Sequence, residues 1–139
     1  MASKVFLDAN ILLDFTLKRS SYDVSKQIIS LAIEGRIHAF ISPSIVHIVG
    51  YWLTKGYGSS KAKELLLSLL TEVTVIDLNH EGTLNALISR INDIEDALQY
   101  YTALHHNLDC LVTNDKPFRK MSMPQLPIYS PEEFLKELA

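Results

Sequence analysis

The sequence predicts an α/β fold with a mostly parallel central sheet covered by helices on both faces. Two observations carry this expectation. Short runs of consecutive apolar residues, such as Val5-Phe6-Leu7 and Cys110-Leu111-Val112, read as strands buried on both faces, the pattern of parallel sheets. Between them lie longer stretches in which apolar residues recur at helical spacing. The resulting order is β-α-α-β-α-α-β-α-α-β-β-α, and strands separated by helices imply parallel pairing. At 139 residues, one domain over 1-139 is expected, since domains cluster around ~100–150 residues.

Each element has its own signal. Val5-Phe6-Leu7 ends at Asp8, and Ile11, Leu12 and Phe15 then mark a helix with Asn10 as its expected N-cap. Val24, Ile28 and Leu31 mark a second helix, stopped near Gly35. Ile37 to Ile41 is the next strand. Ser42-Pro43 reads as N-cap and first helical position, opening a helix with Ile45, Ile48, Val49 and Trp52 that stops at Gly56. Ser59 or Ser60 opens a fourth helix, carrying Leu65, Leu66, Leu69 and Leu70. Val73-Thr74-Val75-Ile76 is β-branched and short, hence a strand. Helices follow with Leu84, Leu87, Ile88 and Ile91, and then from Ile94 to His106 behind Asp93. Cys110 to Thr113 is a strand, and Lys116 to Pro127 reads as a loop. Ile128-Tyr129 is a last short strand, and Ser130-Pro131-Glu132-Glu133 opens a terminal helix.

Composition narrows the function classes. Lys+Arg number 13 against 16 Asp+Glu, a net charge of −3, so this is no basic nucleic-acid coat. With 47% hydrophobic residues, disorder is not expected. No apolar run approaches the roughly 18–20 residues of a membrane span. The apolar run after Met1-Ala2-Ser3-Lys4 is too brief for a secretory signal. The one cysteine, Cys110, excludes an internal disulfide and a thiolate zinc cluster, and fits a reducing, cytoplasmic setting.

In open α/β sheets, sites form beyond the carboxyl ends of the strands. Asp8 ends the first strand, and Asp115 follows the strand that closes at Thr113. Asp96 sits in the first turn of a helix feeding the same edge. Converging carboxylates repel unless a cation neutralises them. A hard divalent ion with oxygen ligands, Mg²⁺ or Mn²⁺, suits such a set. Its waters supply a nucleophile for phosphodiester hydrolysis. Taken singly, each acid also has a structural reading. Asp8 can cap the next helix, Asp93 and Asp96 can form a capping pair, and Asp115 can be a turn residue.

Val-Phe-Leu-Asp8-Ala-Asn10-Ile-Leu-Leu-Asp resembles the opening motif of PIN-domain nucleases. Asp93-Ile-Glu-Asp96-Ala-Leu-Gln, with Ala103 beyond it, resembles their central acidic helix. Leu111-Val112-Thr113-Asn114-Asp115-Lys116-Pro-Phe118 resembles their third motif. Size and element order agree along essentially the whole chain, and the nearest resemblance is to small single-domain toxins of the VapC type. The resemblance implies a PIN-like three-layer α/β/α sandwich and a Mg²⁺- or Mn²⁺-dependent ribonuclease. It carries the catalytic and metal-ligand roles onto Asp8, Asp96 and Asp115. It gives Asn10 and Thr113 supporting roles, and it implies an RNA substrate, a homodimer and an antitoxin partner.

One position departs from the pattern. The family usually has a glutamate in a Ser-x-x-x-x-Glu run on the helix after the second strand, and here that place holds His47 in Ser42-Pro43-Ser44-Ile45-Val46-His47. A neutral imidazole suits Mn²⁺ better than Mg²⁺. Asp93 and Glu95 are nearby acids that compensate if they face the site. Asp93 lies one turn from Asp96 on a similar face, and Glu95 points about 100° aside. Lys18, Arg19, Lys116, Arg119 and Lys120 are the cations placed to meet RNA phosphates. His105-His106, Cys110 and the Tyr100-Tyr101 pair read as structural.

The alternative to an active nuclease is a degenerate PIN domain that binds RNA or protein without cutting. A phosphatase or receiver domain is disfavoured, because the additional acids those sites require are not found. Tyr51, Trp52, Leu65, Leu66 and Leu69 give two neighbouring helices more apolar surface than a small core absorbs, which predicts a homodimer through them.

Overall fold

The computed structural model describes residues 2–138. The elements run β1 (Ser3–Leu7), α1 (Ala9–Thr16), α2 (Tyr22–Ile33), β2 (Ile37–Ile41), α3 (Pro43–Tyr57), α4 (Ser59–Leu69) and β3 (Val73–Val75). They continue with α5 (His80–Ile88), α6 (Ile94–His105), β4 (Cys110–Val112), α7 (Lys116–Arg119), β5 (Ile128–Tyr129) and α8 (Pro131–Leu138).

The strands form a five-stranded sheet in the order β3-β2-β1-β4-β5, and all four pairings are parallel. Helices pack on both faces, which gives the α/β/α sandwich that the sequence predicts. Val5, Phe6, Leu7, Leu111 and Val112 are each fully buried. The two central strands, β1 and β4, are covered on both sides, and their continuous apolar runs follow from that. In register, Val5 faces Ala39 on one side and Cys110 on the other. Leu7 pairs with Val112, so Asp8 and Thr113 leave the sheet side by side at its carboxyl edge.

Three local expectations change. The first helix begins at Ala9, and its N-cap is Asp8, whose Oδ1 accepts from the Ala9 amide at 2.7 Å. Asn10 therefore lies inside the helix rather than capping it. The α3 helix runs past Gly56 to Tyr57 and ends at Gly58, whose φ of 85° lies in the region only glycine enters cheaply. Within Lys116 to Pro127, read as a loop, α7 forms a short helix capped by Asp115. Four residues are too few for periodicity to reveal, but the Asp115 cap and Pro117 in the first turn suffice to close one turn.

Tyr100 ties the remainder of that segment to the core. It is fully buried. Its hydroxyl donates to the Leu126 carbonyl at 2.7 Å and accepts from the Met123 amide at 2.9 Å. Tyr100→Phe leaves both groups short of a partner and is expected to cost about 1–3 kcal/mol in urea denaturation, the scale of a lost buried hydrogen bond. A cost below about 0.5 kcal/mol would show that water replaces the hydroxyl, as at an ordinary surface position.

Candidate active site

Asp8 is the fixed point of the carboxyl edge. It is 6% exposed, and its amide still donates to the Val112 carbonyl at 3.1 Å. One carboxylate oxygen caps α1. The other accepts from the Thr113 hydroxyl at 2.6 Å. That hydroxyl oxygen in turn accepts from the Asp115 amide at 3.1 Å. Thr113, fully buried, thus stands between two of the predicted acids and sets their separation. Asp115 spends Oδ1 on the Phe118 amide at 3.1 Å as the cap of α7, and is otherwise exposed.

Asp96 enters from α6. Asp93 caps that helix by accepting from the Asp96 amide at 2.9 Å, so the capping reading of this pair is realised. The Asp96 side chain makes no hydrogen bond among the described residues, and with Asp93 and Phe118 it lines a cleft between α6 and α7. Capping and site-building are compatible: a helix N-terminus holds a carboxylate through one oxygen and leaves the second free.

Burial and the neighbouring acids both act on these groups. Asp96 is pushed up to about 7, first by burial and then by the charges of Asp93, Asp115, Asp8 and Glu95. Asp8 is also raised, chiefly by burial, with Asp115 adding to it and the Thr113 and Ala9 hydrogen bonds opposing it. Glu95 is raised by burial, then by Asp8, then by Asp93. Burial leads in all three, and the neighbouring carboxylates add a repulsion that a nearby cation would relieve.

The supporting residues are distributed unevenly. Asn10 is exposed, and its Oδ1 accepts from Arg19 Nη2 at 3.0 Å. Arg19 Nε also donates to Asp14 at 2.9 Å, and Asp14 accepts from the Asn114 amide group at 3.3 Å. Asn10 and Asn114, which lie close to Asp8 and Asp115 in the chain, are thereby linked through Arg19 and the buried Asp14. Sequence reasoning assigned no role to Asp14. His47 is exposed and lines a separate groove between α3 and α4 with Gly50, Tyr51, Lys63 and Leu66. None of the charges acting on Asp8, Glu95 or Asp96 is that of His47.

Gln99 is the second residue that sequence reasoning left unassigned. It is fully buried, and its Nε2 donates to Glu95 Oε1 at 3.3 Å. Its side chain is also the weakest of the influences that favour the charged form of Asp8, behind Thr113 and Ala9. A signal was present: Gln99 lies three residues after Asp96, next to the core residues Tyr100 and Ala103, where an apolar residue is the norm.

Of the neighbouring cations, Arg119 donates to the Thr113 carbonyl at 3.3 Å and sits 4.0 Å from Glu133. Lys116 and Lys120 are exposed and form no ion pair among the described residues. Among those residues no three His, Cys, Asp or Glu side chains converge tightly enough to grip an ion as they stand. The donor chemistry nonetheless fits a hard divalent cation, because the facing groups are all carboxylates and none has a counter-ion at bonding distance.

A family profile described as PIN domain matches residues 4–117. No curated protein is significantly similar in sequence. Among solved structures, VapBC2 of Rickettsia felis, bound to a DNA fragment from its promoter, aligns with a TM-score of 0.68 at 21% identity over 91% of this chain and 98% of the other. A toxin–antitoxin complex of Klebsiella pneumoniae aligns with 0.65 at 22% identity over 88% and 94%. VapC20 of Mycobacterium tuberculosis, a toxin that cleaves the sarcin–ricin loop, aligns with 0.67 at 13% identity over 87% and 97%. At these identities the structural matches establish a shared fold.

Proposed function

The chain belongs to the PIN domain family, and from that premise we propose that it is a Mg²⁺- or Mn²⁺-dependent endoribonuclease hydrolysing phosphodiester bonds in RNA. The observation that carries this reading is the set of carboxylates at the sheet edge, with Thr113 fixed between Asp8 and Asp115 and Asp96 raised first by burial, then by Asp93, Asp115 and Asp8. Asp8, Asp96 and Asp115 would hold the ion. When bound, it supplies Lewis-acid activation of the phosphate and of the attacking water.

The chain's own residues do the rest. Thr113 holds the Asp8 carboxylate in one orientation and keeps Asp115 beside it. Asp93 orders the first turn of α6 and so aims Asp96. Asn10, clamped by Arg19, forms the rim next to Asp8. Lys116 and Lys120, free of ion pairs among the described residues, neutralise RNA phosphates at the mouth of the acidic cleft. His47 belongs to the α3–α4 groove in this reading and takes no part in cleavage.

The similarity to structures named as VapBC and toxin–antitoxin complexes supports a toxin role in a type II pair with an antitoxin protein, in the cytoplasm. No helix among the described residues is long and apolar enough to cross a membrane. A homodimer accompanies this reading. Of the helix face expected to make it, Leu69 is buried and Leu65 and Leu66 are half-buried, while Tyr51 and Trp52 remain exposed. Light scattering at tens of micromolar is expected to give twice the 15.7 kDa chain mass. A monomer at that concentration rejects the dimer.

The decisive experiment incubates the purified chain with a mixed RNA pool, with Mg²⁺, with Mn²⁺ and with chelator. Cleavage with either metal and none with chelator is expected. The second reading, a degenerate domain that binds RNA or protein without cutting, is supported by His47 standing where a glutamate is expected and lining the α3–α4 groove. Retention of RNA with no cleavage under any metal would establish it instead.

A further inference from the structure

Resting on the nuclease reading, we propose that Arg19 grips the RNA backbone beside the carboxyl edge of the sheet, and that the buried Asp14 is the positioning residue that aims it. Asp14 is 7% exposed, and a carboxylate taken from water needs partners for both oxygens. They come from two different parts of the chain. Its Oδ1 accepts from Arg19 Nε at 2.9 Å, in the turn after α1. Its Oδ2 accepts from the Asn114 amide group at 3.3 Å, in the loop between Thr113 and Asp115. One acid thus pins the α1–α2 turn to the segment that leaves β4, and Arg19 is drawn to the rim that Asn10 and Asn114 form.

The guanidinium is held on one side and open on the other. The Arg19 amide donates to the Asp14 carbonyl at 3.1 Å, and Lys18, with a φ of 52°, turns the chain back toward α1. Nε is spent on Asp14 and Nη2 on Asn10 Oδ1 at 3.0 Å. Nη1 makes no hydrogen bond among the described residues, and the side chain is 41% exposed. A planar fork of five N–H donors fixed at two of its nitrogens keeps its orientation and still offers donors to solvent. Asn10 is turned the same way. Its Oδ1 faces the guanidinium, so the amide cannot flip without setting NH₂ against N–H, and its exposed Nδ2 faces outward as a further donor. Neutralising Asp14 requires only the Nε contact; the second contact, to an exposed asparagine, serves orientation. A rim of donors, one of them cationic, two residues along the chain from Asp8, suits an anion, and the fork matches a phosphate group. Lys116 and Lys120 offer point charges with no such fixed direction.

The test measures initial cleavage rates of the full chain on the mixed RNA pool with Mn²⁺, across RNA and KCl concentrations, with CD melting as the folding control. Arg19→Ala is expected to raise the apparent KM about tenfold, the scale of one charge-assisted contact, while kcat stays within about threefold. It should also flatten the log–log salt dependence of kcat/KM by about 0.7, the value of one phosphate on a single strand. Arg19→Lys, which keeps the charge and loses the fork, should restore the slope and only part of the affinity. Asp14→Asn is expected to raise KM about fivefold by itself and to add less than about twofold to Arg19→Ala, because it acts through that residue. Unchanged KM and salt slope in Arg19→Ala mean that the pair is structural, and overturn the proposal while sparing the nuclease reading. Multiplying losses in Asp14→Asn/Arg19→Ala overturn the positioning role. A wild type that cuts with neither metal overturns the nuclease reading, and the proposal falls with it. If Arg19→Ala fails to fold because Asp14 is left unpaired, Asp14→Ala/Arg19→Ala, which leaves no buried charge, decides the phosphate contact by the same KM and slope, and Asp14→Asn in the Arg19→Lys background decides the positioning role.

Discussion

Asp8→Asn is expected to lower RNA cleavage on the order of 10²-fold or more, the scale on which single preorganised groups act in such sites, while leaving the fold in place. The reason lies in the partners of the carboxylate. Asn retains an oxygen that can cap the Ala9 amide, now met at 2.7 Å, and its NH₂ can donate to the Thr113 hydroxyl oxygen, now 2.6 Å from Asp8. The geometry at the carboxyl edge is therefore conserved, and a neutral amide is easier to bury than the ionised group. What disappears is the negative charge at the one acid that the sheet holds rigidly. Cleavage rates on the same RNA pool, beside CD melting curves, check the expectation. A variant cutting at the wild-type rate would mean that Asp8 is only a helix cap.

Asp96→Asn separates function from stability in the opposite direction. Asp96 is raised from 3.8 to about 7, so the folded protein takes up a proton there that the unfolded chain releases at lower pH. A raised carboxylate contributes stability that is fully present below pH 3.8 and is lost as pH rises through about 7. In metal-free buffer above that range, the wild type carries an uncompensated repulsion that the amide lacks. The variant should therefore be more stable than wild type at pH 8 and should lose that advantage toward pH 4. The gain is smaller than a wholly buried group would give, because water screens a half-open side chain. Urea denaturation of both proteins at several pH values with chelator present tests it, and a pH-independent difference would show that Asp96 does not share space with the other acids. Activity of the variant should fall with that of Asp8→Asn.

The sheet and its carboxyl edge were legible because burial on both faces imposes an unbroken apolar run, and Val5-Phe6-Leu7 and Cys110-Leu111-Val112 satisfy it without interruption. Topology then places Asp8 and Thr113 together once the strands are known to be parallel neighbours. The start of α1 was misread at Asn10 because Asp8 and Asn10 are both good caps, and the choice depends on where the strand releases the chain. The α7 turn escaped notice because one turn has no period. Gln99 was passed over for a different reason. Its polar side chain at a core-facing position was the signal, but its bond to Glu95 depends on rotamers that spacing does not fix. His47 was weighed as a ligand from its offset along the chain; in the structure it is exposed and lines the α3–α4 groove.

The Asp8 amide is hydrogen-bonded into the sheet on a strand paired along both edges, whereas the Asp96 amide is held by one exposed side chain at the first turn of α6. Displacing Asp8 would require breaking the most deeply packed layer of the molecule; displacing Asp96 requires only the fraying of one helix end, among the least costly excursions a folded protein makes. If the proposed centre holds an ion, it does so between one fixed jaw and one sliding jaw. Ions of slightly different radius would then be met by adjusting the α6 side alone, with no deformation reaching the sheet.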